Sequence, residues 1–189
     1  MAAVDITIVS EESYRKLALG DPNGRLELHH GQLREKPDVS SAHGDLMDHL
    51  TEMFHRQLDR NEHRLRLNHA RLRRSPSSYY VPDIAMIPAA VARAMLEHPR
   101  ELDAYPDPLP LVIEIWSPST GNYDVTEKLG EYQARGDLEI WYIHPYERTL
   151  TAWRRLPDGA YARSVHRGGT IHPLAAANVA IDLDALFTS

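Results

Sequence analysis

The chain reads as an α/β fold, a mixed β-sheet flanked by helices, with additional hairpins toward the N- and C-terminal ends. Three observations predict it. Leu111 to Trp116 is nearly all apolar, the pattern of a strand covered on both faces. A helical segment over 125–135 and a second apolar strand over 138–143 follow it, and strand, helix, strand implies a crossover connection. Short paired segments around turn residues mark hairpins, one around His29-His30-Gly31 and one around Pro157-Asp158-Gly159. No repeat or long linker divides the sequence, so residues 1–189 are expected to form a single domain, long enough to bury a sizeable core.

The remaining elements follow in order. Ser10 is placed to cap a short helix ending at Leu19. Asp21-Pro22-Asn23-Gly24 is a turn, and 25–28 with 32–34 form the first hairpin. A polar segment from Lys36 to Ser41 leads into a helix over 42–60, whose Leu46, Leu50, Met53, Phe54 and Leu58 follow helical spacing. Residues 64–67 alternate like a strand, and 79–87 read as a second one. Between Pro88 and Pro110 a short helix is expected at 89–96. After the loop 117–121, Asp124 and Glu127 form a capping box for a helix over 125–135 that Gly136 stops. Segments 149–154 and 161–165 pair as the late hairpin, and 181–187 is an apolar tail that packs back on the body.

The composition is that of an ordinary globular protein, 42% apolar and 25% charged. There are no cysteines, which excludes disulfides and thiolate metal sites. No apolar run approaches the roughly 18–20 residues of a membrane helix, and no secretory signal is visible, so a cytoplasmic protein without membrane association is expected. The net charge of -6 argues against a broad nucleic-acid-binding surface but leaves room for a local basic stripe. The histidines show no zinc spacing; His29 and His30 are expected to point opposite ways in a strand.

The chemistry lies in acidic groups set among apolar ones: Asp83 in Val81-Pro82-Asp83-Ile84, and Glu114 in Leu111-Val112-Ile113-Glu114-Ile115. A carboxylate buried among Val and Ile is costly unless compensated. A shared cation is one compensation and a nearby lysine is another. Phosphodiester hydrolysis assisted by Mg2+ or Mn2+ needs such oxygen ligands, a water activated by the metal, and a lysine to orient the nucleophile or stabilise phosphoryl charge. Asp83 and Glu114 lie on separate expected strands, and Lys128 lies one turn inside the following helix, from which its amine could reach the same place.

The ordered set VPDIAMI, LVIEIWSPST, Asp124-x-x-x-Lys128 and EYQARGDLEIWYIHP resembles the putative restriction endonuclease family, also called domain of unknown function 820, a branch of the PD-(D/E)XK nuclease superfamily. The earlier LELHHGQL, with His43 at a helix start, resembles that family's N-terminal segment, so the resemblance covers residues 10–187. It implies a restriction-endonuclease-like core, a divalent metal site of Mg2+ or Mn2+ held by Asp83 and Glu114, and Glu27 as a candidate additional acid. Trp116 stands where the wider superfamily carries lysine, and Lys128 is its substitute on the helix.

Each residue also has a plainer reading. Asp83 would end a turn after proline, and Glu114 would pair with an arginine or with Lys128. Lys128 and Glu27 would be solvated, Asp124 a cap, His43 a surface histidine instead of a residue near the site, and Tyr132 packing. Arg64, Arg66, Arg71, Arg73 and Arg74, with His63 and His69, form a basic cluster that either tracks a phosphate backbone or neutralises excess acid. The leading expectation is a metal-dependent endonuclease acting on DNA, as a homodimer with paired sites. The alternative is a non-catalytic nucleic-acid-binding or interaction module on the same fold. A serine nucleophile at Ser117 or Ser119 is disfavoured, since no G-x-S-x-G surrounds either.

Overall fold

A computed structural model describes residues 8–21, 23–121 and 123–188, without the side chains of Asp124 and Val125. Helix α1 (Glu11–Leu19) starts at Ser10, whose side chain accepts the Ser13 N–H. Strands β1 (Leu26–His29) and β2 (Gln32–Glu35) form the first hairpin. Its two-residue turn has positive φ at both His30 (49°) and Gly31 (83°), the twist that suits tight hairpins. Helix α2 (Ser41–His55) is capped by Ser40 and ends before the expected Arg60. Strands β3 (His63–Leu67), β4 (Arg71–Ser75), β5 (Ser78–Tyr80) and β6 (Ile84–Pro88) follow, then α3 (Ala89–Leu96) and the short β7 (Ala104–Tyr105).

Strand β8 (Leu111–Ile115) leads through a π-helical turn at Asp124–Lys128 into α4 (Leu129–Arg135), which stops at Gly136 with φ 84°. The expected capping box rests on the Asp124 side chain, which lies outside the described residues. Strands β9 (Glu139–His144), β10 (Thr149–Arg155), β11 (Tyr161–His166), β12 (Thr170–Ile171) and β13 (Ile181–Asp182) and helix α5 (Leu183–Leu186) complete the chain.

The strands form a six-stranded mixed sheet, β11-β10-β9-β8-β6-β3, a five-stranded sheet, β2-β1-β5-β4-β7, and the two-stranded β12-β13. β8 and β9 are parallel, as the crossover requires, and the other pairs of the larger sheet are antiparallel. Both hairpins are absorbed into these sheets instead of standing apart from them.

The strand expected over 79–87 is in fact two. β5 belongs to the smaller sheet and β6 to the larger, and Val81-Pro82-Asp83 is the step between them. Proline supplies no N–H for a ladder, so the break falls where the chemistry of Pro82 favours it. β4 and β7 were not legible: β4 is Arg-rich and β7 is two residues long.

The larger sheet separates two cores. Ile84, Met86, Leu111, Ile113, Ile115, Trp141 and Ile143 meet α2 and α5 on one face. Ala85, Ile87, Val112 and Ile140 meet Tyr80, Leu72 and Tyr132 on the other, between the two sheets. Strand alternation then places Glu114 on this second face. A third cluster packs α1, through Tyr14 and Ala18, onto Leu28 and Tyr79. Among the described residues no helix is long and apolar enough to cross a membrane.

Candidate active site

The site forms where the chain steps from one sheet to the other. β6 and β8 pair with Ile84 opposite Ile113, so extending the register by one residue sets Asp83 beside Glu114, on the same face. The Asp83 carboxylate is tied by three donors. Its Oδ2 accepts the Ile115 N–H at 2.7 Å and His43 Nε2 at 2.9 Å, and its Oδ1 accepts Lys36 Nζ at 2.9 Å. Asp83 is 1% exposed, and His43 and Lys36 are buried with it.

Burial alone would push the Asp83 carboxyl up, but the Lys36 ammonium and the His43 hydrogen bond outweigh it and hold it well below the usual carboxylate range. An ionised carboxylate only accepts, so His43 Nε2 carries the hydrogen. Burial likewise works against charged Lys36. The attraction of Asp83, with Glu114 and Glu27 adding and Lys128 opposing, raises its pKa instead.

The second half of the cluster centres on Lys128. Its ammonium lies 2.9 Å from Glu27 Oε1 and 3.2 Å from Glu114 Oε1, and all three residues are buried. Glu27 comes from β1, where its Oε1 also accepts the Val81 N–H at 2.8 Å and so pins the step between the sheets. Tyr132, one helical turn beyond Lys128, donates to Glu114 Oε1 at 2.6 Å. Burial and the Glu114 charge push its phenol well above the ordinary value, so it remains a donor at neutral pH. The wide π turn ends at Lys128, and such turns occur often at functional sites.

The sequence-derived candidates Asp83, Glu114, Lys128, Glu27 and His43 therefore lie in one buried cluster. The plainer readings of Lys128, Glu27 and His43 as solvated residues do not hold, because each is about 1% exposed. Two members were missed. Lys36 was assigned to a polar segment, although it continues the alternation of Arg34 opposite Glu27. Tyr132 was assigned to packing, although it stands four residues after Lys128 on one helix face. His29 and His30 do not alternate on a strand: His30 occupies the turn and the two rings lie 4.4 Å apart. The arginines do not form one stripe. Arg64 and Arg66 lie on β3 at the edge of the larger sheet, whereas on β4 Arg71 is buried against the Ala18 carbonyl and Arg73 pairs with Glu11 at 2.7 Å.

Three carboxylates, Glu27, Asp83 and Glu114, face two ammoniums, Lys36 and Lys128. Hard oxygen donors of this kind suit Mg2+ or Mn2+, and Asp83 and Glu114 share a face, so the residues fit such a cation in kind. A cation here would compete with both lysines. Among the described residues no group of three or more His, Asp or Glu side chains is arranged to hold a metal ion by itself.

A family profile described as “Uma2: Putative restriction endonuclease” matches residues 11–184. The chain belongs to this family. No curated protein matches. Among solved structures, a putative nuclease belonging to DUF820 from Anabaena variabilis ATCC 29413 has a TM-score of 0.75 and 19% identity, over 95% of this chain and 98% of that one. At that identity the likeness shows the fold, which in this Uma2 family member is the mixed, helix-flanked architecture that the sequence led us to expect. The restriction-endonuclease-like family generally uses divalent metals.

Proposed function

We propose that the protein is a metal-dependent nuclease that hydrolyses phosphodiester bonds in DNA, with Asp83 and Glu114 as the ligands of Mg2+ or Mn2+. The observation that carries this reading is the buried Lys128 ammonium, held between Glu27 and Glu114 beside the face that bears Asp83. When bound, a divalent cation supplies polarisation of the phosphoryl group and a coordinated water of lowered pKa.

The remaining work falls to side chains. Lys36, His43 and the Ile115 N–H fix the Asp83 rotamer and keep it ionised, so both oxygens are presented in one orientation. Lys128 stabilises negative charge developing on the phosphoryl oxygens, and Glu27 holds its ammonium in place. Tyr132 orients Glu114. Two such sites in a twofold homodimer would serve the two strands of a duplex, which sedimentation with and without DNA would reveal.

The test is cleavage of duplex DNA in Mg2+ together with calorimetric Mn2+ binding. Asp83→Asn and Glu114→Gln should lose both while keeping the wild-type circular dichroism. Unchanged cleavage by the double variant refutes the assignment. A second reading, a non-catalytic interaction module, is favoured by the lysines that already neutralise the carboxylates. It predicts no Mn2+ binding at millimolar concentration and no turnover.

A further inference from the structure

We infer that Arg34 is the residue that anchors a substrate phosphate, and that the cavity beside it receives a nucleotide carrying that phosphate. The inference rests on the nuclease reading and names how that site would hold its substrate. A cavity of about 410 Å3 opens directly onto the cluster, with Glu27, Lys36 and Lys128 on the inner side and Arg34 and Tyr123 on the outer. That volume is within the range of ligand pockets, about 300–1,000 Å3.

The cations lining the cavity are not equivalent. Lys36 is held by Asp83, and Lys128 by Glu27 and Glu114. Arg34 enters no ion pair among the described residues. Its guanidinium instead lies 4.8 Å from the centre of the Tyr123 ring, within the roughly 6 Å range of cation–π attraction. Stacking of this kind orients the planar group while leaving its N–H fork available, and that fork matches the oxygens of a phosphate.

The position is also set by register. Arg34 is the direct cross-strand partner of Glu27 in the β1–β2 hairpin, so both lie on the hairpin face that meets Lys128. Burial, with the nearby Glu27 charge adding, pushes the Tyr123 phenol up to about 12, so its ring stays neutral beneath the guanidinium. Glu35, which is exposed, also lines the cavity.

The experiment is a titration of the full chain with inorganic phosphate at low ionic strength, by calorimetry and by the Arg34 side-chain N–H signal in NMR. Wild type should bind saturably and shift that signal. Arg34→Gln should weaken binding about tenfold or more, the loss expected for a charge-assisted contact, and Arg34→Lys should fall between. Mn2+ binding and melting temperature should not change in either variant, and in cleavage assays Arg34→Gln should raise KM more than it lowers kcat. Equal phosphate affinity in wild type and Arg34→Gln, or no saturable phosphate binding by wild type, overturns the inference even where cleavage is intact. Phosphate binding through Arg34 in a protein that never cleaves DNA removes the nuclease reading and leaves the anion site standing.

Discussion

Arg135 and Asp137 sit two residues apart at the end of α4, whereas Glu27, Asp83, Glu114, Lys36 and Lys128 come from five separate places in the chain. Both groups are buried, and both pair charge with charge. At Arg135 every arm of the fork is used: it meets Asp137 at 3.1 Å and 3.3 Å and the carbonyls of Arg73, Tyr105 and Asp107 at 2.6 Å, 2.8 Å and 2.6 Å. Asp137 in turn accepts the Leu109 N–H. Neither residue lines the cavity beside the site cluster. The site cluster uses lysines, point charges on flexible stems that can change partners, and it borders a cavity. The contrast separates charge that cements from charge placed to meet something.

The carboxyl groups differ in the same sense. Burial pushes Asp137 up, and Arg135 only partly offsets it. Burial also opposes ionisation of Asp83, but Lys36 and His43 prevail and hold it low. Asp83 is therefore kept charged, in the form a cation would require.

The largest expected effect would break the comparison if it failed. Glu114→Gln should abolish cleavage and Mn2+ binding with a small change in stability, while Arg135→Ala should lose about 3–5 kcal/mol of stability by leaving Asp137 uncompensated. Urea denaturation beside the cleavage assay checks both, and Arg135→Ala should keep its turnover number where it remains folded. If Glu114→Gln were as destabilising as Arg135→Ala and still bound Mn2+, the cluster would be cement as well.

Tyr132→Phe sharpens the boundary between the two kinds of charge. It removes one donor from Glu114 while Lys128 remains, so a loss of about 1–3 kcal/mol is expected in denaturation, with a measurable fall in rate.

A smaller effect is one of pH, in metal-free buffer. The Asp83 pKa is depressed on folding, so its contribution to stability is present above its unfolded value of about 3.9 and is lost as pH falls toward the lower folded value. The stability difference between wild type and Asp83→Asn should thus be greatest above about pH 5 and shrink below pH 4, read from denaturation midpoints. A gap that stays constant across that range would mean that Asp83 is not held ionised.

Much of this was legible in local pattern. Helix α3 and strands β8 and β9 match their expected spans closely, and α4 ends where Gly136 was expected to stop it but begins only after a π-helical turn, because apolar periodicity and glycine or proline stops are properties of neighbouring residues. Asp83 and Glu114 were legible because an acid inside an apolar run violates that pattern. Lys36 and Tyr132 were not, since a lysine before a proline and a tyrosine in an amphipathic helix violate nothing. The break at Pro82 lay in view, yet the run from Tyr79 to Ile87 is apolar enough to pass for one strand.

The helices and most of the strands in their order, the capped start at Ser10, and the presence of acids needing compensation were determined by the sequence itself, through short-range stereochemistry and the cost of burying charge. Which cations compensate them was decided only by the tertiary structure. Lys36 reaches Asp83 from 47 residues away, and Lys128, on the turn that follows β8, reaches Glu27 on β1 of the other sheet. Contacts of that separation depend on how two sheets meet, and no local signal encodes where two distant segments come to share one dry interior.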